Sequence, residues 1–166
     1  SKKDILSLEQ LKSAISDVQD LGSSVIGITG GEPLLRDDLE EIIASIDKRS
    51  MAIIFTTGYK LTKERVRCLK EAGLEIPVIS LDHHSGETHD KGRRKEGMFD
   101  HALNAIELFQ DEGFYVAVSF VPDKSLVSDR EEIFRVIDFF KNIGINDMRL
   151  TSPILSGALT VKPEER

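Results

Sequence analysis

The stretch Val25-Ile26-Gly27-Ile28-Thr29-Gly30-Gly31-Glu32-Pro33-Leu34-Leu35 joins a short apolar, β-branched run to two glycines, a carboxylate and a proline. Such a run, broken by glycine, reads as a strand ending in a loop. Two glycines let the backbone approach a ligand with its N–H and C=O groups bare, and Pro33 fixes how the chain leaves. A carboxylate beside bare backbone suits an ammonium or a zwitterionic amino-acid group. The same residues also suit a plain Gly-Gly turn with a solvated Glu, and spacing alone does not choose. At a strand end, no core packing should depend on the charge of Glu32. A Walker A phosphate loop is excluded, because Lys and Ser or Thr do not follow at the required spacing.

Outward from this run the pattern turns helical on both sides. Upstream, Leu8, Leu11, Ile15, Val18 and Leu21 form a stripe behind the capping sequence Ser7-Leu8-Glu9-Gln10. Downstream, Leu39, Ile42, Ile43 and Ile46 follow Asp37-Asp38-Leu39-Glu40. The unit then repeats. Further stripes are Leu61, Val66, Leu69, Ala72; Phe99, Leu103, Ile106, Phe109; and, behind Ser128-Asp129-Arg130-Glu131, Ile133, Val136, Ile137, Phe140. Gly22, Gly73, Gly113 and Gly144 are placed to close four of these helices. Strand runs at 25–29, 52–57, 78–81, 115–121 and 148–151 follow the helices in turn. The order αβαβαβαβαβ predicts an α/β fold of parallel strands joined by right-handed crossovers. A closed eight-stranded barrel takes about 250 residues, so this chain should form an open sheet or part of a barrel, the open sheet being the better expectation.

In either arrangement ligands bind at the carboxyl ends of the strands. Those ends carry Thr29 to Pro33; Thr56-Thr57-Gly58; Ser80-Leu81-Asp82-His83-His84 and a long loop to Gly97; Ser119 to Pro122; and Thr151-Ser152-Pro153. All five bear polar groups on one edge.

Composition narrows the classes further. With 22 Lys+Arg against 29 Asp+Glu, the net charge of −7 argues against a general nucleic-acid binder. Hydrophobic residues make up 40% and charged residues 31%, as in a globular chain, and no apolar run reaches the ~20 residues of a membrane helix. The single cysteine, Cys68, excludes a disulfide framework and any cysteine-built zinc or iron–sulfur site within these residues. It falls between Val66 and Leu69 and reads as a small, partly buried thiol. Lys91, Arg93, Arg94 and Lys95 form the basic run of an acidic chain, and one arginine there suits a bidentate grip on a carboxylate. Asp82, His83, His84, His89 and Asp90 offer metal-ligand types, which supports a rival reading as a barrel-type metal-dependent hydrolase. Adjacent His83 and His84 should diverge in an extended segment, which makes joint ligation awkward. A cluster-free binding module is a third reading. His101, beside Asp100, reads as surface.

Gly30-Gly31-Glu32-Pro33 after a strand resembles the GGEP motif of radical S-adenosylmethionine (radical SAM) enzymes. Other likenesses follow in order. Thr57-Gly58 stands where that family often has Thr-Asn-Gly, and Ile79-Ser80-Leu81-Asp82 is similar to its SLD strand. His89-Asp90, Arg93-Arg94, Gly97 and Phe99 resemble its HD…RG…G-F run. The resemblance extends from about residue 7 to 157.

It implies an incomplete (β/α)6 TIM-like barrel holding a [4Fe–4S] cluster and S-adenosylmethionine, with residues 1–166 a single partial barrel domain. It also implies reductive cleavage of S-adenosylmethionine to a 5′-deoxyadenosyl radical that abstracts hydrogen from a substrate. On this resemblance Gly30, Gly31 and Glu32 contact the methionine amino group, with Pro33 shaping the turn and Thr57 nearby. Ser80 and Asp82 lie near the ribose or carboxylate, Arg94 is the candidate for the carboxylate, Ser119 lies beside the nucleoside, and residues 148–154 back the adenine. Implied partners are a small-molecule or peptide substrate and an electron donor such as ferredoxin or flavodoxin, in the cytoplasm, with no nucleic acid and no membrane. The family's CxxxCxxC loop has no counterpart here, and the five units match its second to sixth. The first strand and cysteine loop are therefore expected upstream of Ser1, in a longer protein. The non-Met start and the helix-opening Lys162-Pro163-Glu164-Glu165-Arg166 also read as cut ends.

Overall fold

The computed structural model describes residues 6–122 and 124–151. Five strands, β1 (Val25–Ile28), β2 (Met51–Thr56), β3 (Ile76–Ser80), β4 (Ala117–Phe120) and β5 (Asp147–Leu150), pair in parallel in the order β1-β2-β3-β4-β5. Between and before them run α1 (Leu8–Asp20), α2 (Leu39–Ala44), α3 (Lys63–Glu71), α4 (Gly86–Arg93), α5 (Met98–Asp111), α6 (Lys124–Ser128) and α7 (Arg130–Asn142). The expected alternation is present, with α4 and α6 added where the sequence reads as loop. The fifth strand's expected end at Ser152-Pro153, the adenine-backing segment beyond Thr151 and the helix opening at 162–166 lie outside the described residues.

The core shows how the sheet is wound. From the strands it takes Ala52, Ile54, Ile79 and Val118; from the helices it takes Leu39 and Ile43 of α2, Val66 and Leu69 of α3, Ala102, Ile106 and Phe109 of α5, and Val136 and Phe140 of α7. The opposite face holds a small patch of Ile53, Val78 and Ala117, flanked by Met51, Phe55 and Ile76, with no helix residue in it among the described residues. Strands in sequential order with helices on one face are the winding of a (β/α) barrel. Among the described residues the sheet ends at β1 and β5, which makes it an open arc of such a barrel.

Local chemistry explains most boundaries. Ser7 and Gln10 close the expected capping box at 3.2 and 2.9 Å. The other two expected caps differ. Asp38 stands at the start of α2 without capping it, because Arg36 engages its carboxylate through two contacts of 2.8 Å. Asp129, not Ser128, caps α7, accepting from the N–H groups of Glu131 and Glu132 at 3.0 Å, while Ser128 ends α6. Cys68 is exposed, not partly buried. Val66 and Leu69, three apart, share the buried face of α3, and position 68 falls outside it.

Candidate functional site

The loop after β1 is pinned from behind. Glu32 Oε1 accepts from Leu34 N at 3.1 Å and Thr56 Oγ1 at 2.5 Å, and Oε2 accepts from Thr57 N at 2.8 Å and from the Thr57 hydroxyl. Each oxygen thus has two donors, three of the four from the end of β2. This carboxylate is part of the architecture, contrary to the expectation that nothing structural depends on its charge. Thr56 Oγ1 also accepts from Gly58 N at 3.0 Å. Gly58 has φ 75°, and a Cβ there would run into Ala105 Cβ and lie 2.7 Å from the His101 carbonyl. Close approach of α5 therefore requires this glycine.

In front of the pinned loop the backbone is bare. Gly30 takes φ 153°, and neither it nor Gly31 has another atom within 4 Å of where a Cβ would stand. They border a cavity of about 670 Å³ that runs along β1, with Leu11, Ile15 and Ile42 as its apolar wall. A second hollow, about 230 Å³, lies on the other side of Glu32, lined by Thr57, Tyr59, Arg93, Lys95 and Met98. Lys95 Nζ sits 3.7 Å from the Tyr59 ring centre.

At the end of β3 a chain of contacts fixes Asp82. His89, 2% exposed, accepts the Asp82 N–H on Nδ1 at 3.1 Å, so the proton of its neutral ring sits on Nε2. Burial pushes this imidazole below its ordinary pKa, against the opposing pull of Asp82. Asp82 Oδ1 accepts from Val121 N at 3.0 Å. Its Oδ2 lies 2.7 Å from Arg93 Nε, close enough for an ion pair although that N–H is not aimed for a hydrogen bond. Asp90 ties α4 to α5, accepting from Gly97 N at 2.6 Å and Phe99 N at 2.8 Å. Burial raises its pKa, but these N–H groups outweigh burial and hold it below the usual value. The His89-Asp90…Gly97…Phe99 pattern is thus the wiring of the loop.

Two of the expected groupings come together. Gly30, Gly31, Glu32, Pro33 and Thr57 meet at the ends of β1 and β2; Ser80 and Ser119 are register partners on β3 and β4, with Asp82 beyond them. Arg94 is separate: it is exposed and ends α4 with φ 56°. Its neighbour Arg93 is the arginine at the strand ends.

The hydrolase set Asp82, His83, His84 and His89 does not assemble as one group. His89 spends Nδ1 on Asp82 N, and His83 and His84 instead meet Glu132 of α7. Their rings stack, with centroids 4.6 Å apart, because the chain bends at His84–Ser85 and is not extended there. Glu132 Oε1 lies 2.7 Å from His84 Nε2 and 3.3 Å from His83 Nε2. Ser85 N donates to His83 Nδ1 at 2.9 Å, which leaves the His83 proton on Nε2, facing the carboxylate. One ligand atom from each of His83, His84 and Glu132 lies within 4.8 Å of the others, and in this tautomer His83 faces the carboxylate as a donor. Hydrogen bonds from His84 and then Arg135 hold the Glu132 carboxyl below its ordinary pKa. Glu132 is the group that sequence reasoning missed, and Arg93 stands at the strand ends where that reasoning chose Arg94. Glu132 stands 48 residues from His84, with no local signal.

The model for the radical SAM superfamily matches residues 1–137. Fe-coproporphyrin III synthase of Methanosarcina barkeri is 40% identical over 134 residues, 80% of this chain and 33% of the relative. GTP 3′,8-cyclase of Aquifex aeolicus is 35% identical over 146 residues, 87% of this chain and 45% of the relative. The chain thus spans between a third and a half of the length of these two curated relatives. In fold it resembles Streptococcus suis SuiB bound to S-adenosylmethionine, with TM-score 0.71 and 19% identity over 90% of this chain and 34% of that one. It likewise resembles anSMEcpe with bound AdoMet, with TM-score 0.71 and 18% identity over 90% of this chain and 43% of that one.

Proposed function

This chain belongs to the radical SAM superfamily, and we propose that it forms the S-adenosylmethionine cradle of a longer enzyme. When bound, the cofactor and a [4Fe–4S] cluster supply one-electron cleavage of the sulfonium and hydrogen abstraction from the substrate. The 166 residues do not fit the cluster itself, since their lone cysteine is exposed on α3. They do fit the cofactor. The observation that carries the reading is the bare Gly30-Gly31 backbone, held rigid because Glu32 is locked to Thr56 and Thr57.

In this reading the exposed backbone of Gly30 and Gly31 takes the methionine ammonium. Glu32 has all four contacts filled by its own chain, so it positions the loop and adds negative charge beside the ammonium. Ser80, Asp82 and Thr57 face the ribose side, and Ser119 the nucleoside. For the cofactor carboxylate we favour Arg93, which lines the hollow beside Glu32, over the exposed Arg94. Holding the reactants in place lowers the barrier by removing orientational freedom beforehand.

The relatives' names point to small-molecule substrates, while SuiB with precursor peptide SuiA and anSMEcpe with the Cp18Cys peptide keep a peptide substrate as the second reading. An electron donor such as ferredoxin or flavodoxin and a cytoplasmic site complete the proposal. No described helix is long and apolar enough to cross a membrane.

The test is anaerobic: the cluster-loaded, full-length protein is given S-adenosylmethionine and dithionite, and 5′-deoxyadenosine is measured. Formation of 5′-deoxyadenosine, with Gly31→Val weakening cofactor binding at least ten-fold by calorimetry, is the expected result. No cleavage by the wild type, or unchanged affinity in the variant, overturns the proposal.

A further inference from the structure

On β2 to β4 the helix-free face is apolar toward the amino ends of the strands and polar toward their carboxyl ends, while β5 adds Asp147 to the apolar row. Register places Val78, Ala117 and Asp147 level with one another, and Ser80, Ser119 and Arg149 level one step further on. Met148 packs into the helical core, so Arg149 faces the other way. Among the described residues it is the one cation the strands place on this face.

Its side chain stays on that face. The guanidinium carbon stands 5.8 Å from the Phe55 ring centre, although β3 and β4 separate β5 from β2. Arg149 therefore reaches back across the curved sheet. Its nearest anion, Asp147, leaves Nη2 and Oδ2 3.9 Å apart, beyond hydrogen-bond range. Among the described residues nothing hydrogen-bonds to the guanidinium, and its side chain is 32% exposed. Arginines elsewhere are held more closely: Arg93 by Asp82 at 2.7 Å, Arg67 by Glu112 at 2.9 Å, and Arg65 by Glu40 and two carbonyls. A planar fork with five donors, lying against Phe55 and only loosely ion-paired with Asp147, keeps its hydrogen-bonding capacity to receive a carboxylate or phosphate two-pronged.

We propose that Arg149, on β5 beside the Ser80 and Ser119 row that the cradle reading gives to the cofactor, receives an anionic group of the substrate. The inference rests on the radical SAM reading and adds to it a substrate class: molecules carrying carboxylates or phosphates. Arg149 is a substrate-positioning group on β5, next to the cofactor's contacts at the ends of β1 to β4 and not one of them.

The experiment uses the full-length, cluster-loaded protein saturated with S-adenosylmethionine, in wild-type, Arg149→Gln and Arg149→Lys forms, each checked for folding by circular dichroism and melting. Fe-coproporphyrin III probes carboxylates and GTP probes phosphates, by absorbance and calorimetric titration; S-adenosylmethionine affinity is measured alongside. The wild type should bind at least one probe saturably, Arg149→Gln should weaken that binding ten-fold or more, and Lys, keeping charge without the fork, should fall between. Cofactor affinity should be the same in all three. Binding of neither probe by the wild type, equal affinity in Arg149→Gln, or a parallel loss of cofactor affinity overturns the proposal, the last by assigning the guanidinium to the cofactor's own carboxylate. Wild-type formation of 5′-deoxyadenosine without substrate judges the cradle reading by itself, so failure of either can be told apart.

Discussion

At the residue scale Glu32 is the most informative position. Replacing it with Gln changes one acceptor oxygen into a donor facing donors, so up to two of its four contacts turn repulsive. A lost, partly buried contact of this kind costs about 1–3 kcal/mol. Glu32→Gln should therefore lower stability by roughly that amount and weaken S-adenosylmethionine binding several-fold, both from the loosened loop. Thr57→Val, which removes one hydroxyl donor but keeps the Thr57 N–H, should show both effects more weakly. Urea unfolding and calorimetry on the full-length protein measure the pair; an undiminished stability in Glu32→Gln would show that the loop does not depend on this carboxylate.

At the scale of elements, α4 is the surprise, and its wiring makes a pH prediction. His89 is buried in α4 with a pKa below 6.5, whereas the unfolded chain titrates near 6.5. As the pH falls below about 6.5 the unfolded state takes up a proton that the folded ring refuses, so stability declines toward acid until the folded pKa is passed. Carboxylates whose pKa is lowered in the fold, such as Asp90 and Glu132, lose stability at still lower pH. His89→Gln keeps an acceptor for the Asp82 N–H without the titration. Between pH 8 and 5 its unfolding free energy should fall less steeply than that of the wild type; identical slopes would remove His89 as the cause. The Ser7 capping box was legible because its partners sit three residues apart on one helix turn. Asp90 closes the start of α5 from seven and nine residues away, a spacing that no helical period marks.

At the scale of the whole molecule the arc has one exposed thiol and no second cysteine to share a cluster. Anaerobic treatment of the 166-residue chain with iron and sulfide should leave far less than one [4Fe–4S] per chain by iron counting. Stoichiometric cluster on this chain would refute that outcome.

What the sequence determined by itself is whatever repeats locally: strand runs, helical stripes, capping signals, glycine ends, and hence parallel α/β units with their polar strand ends on one edge. The GGEP-like loop was legible too, because two adjacent glycines declare bare backbone wherever they occur. Tertiary structure alone decided who meets whom across that edge. Thr57 closing on Glu32, Glu132 gathering His83 and His84, and Arg93 in place of Arg94 at Asp82 depend on strand register and loop path, over separations of 25, 48 and 11 residues. Arg149 reaching Phe55 depends on the curvature of the sheet. Periodicity fixes which face a residue occupies; only the curvature of the arc and the path of its loops fix what stands opposite it.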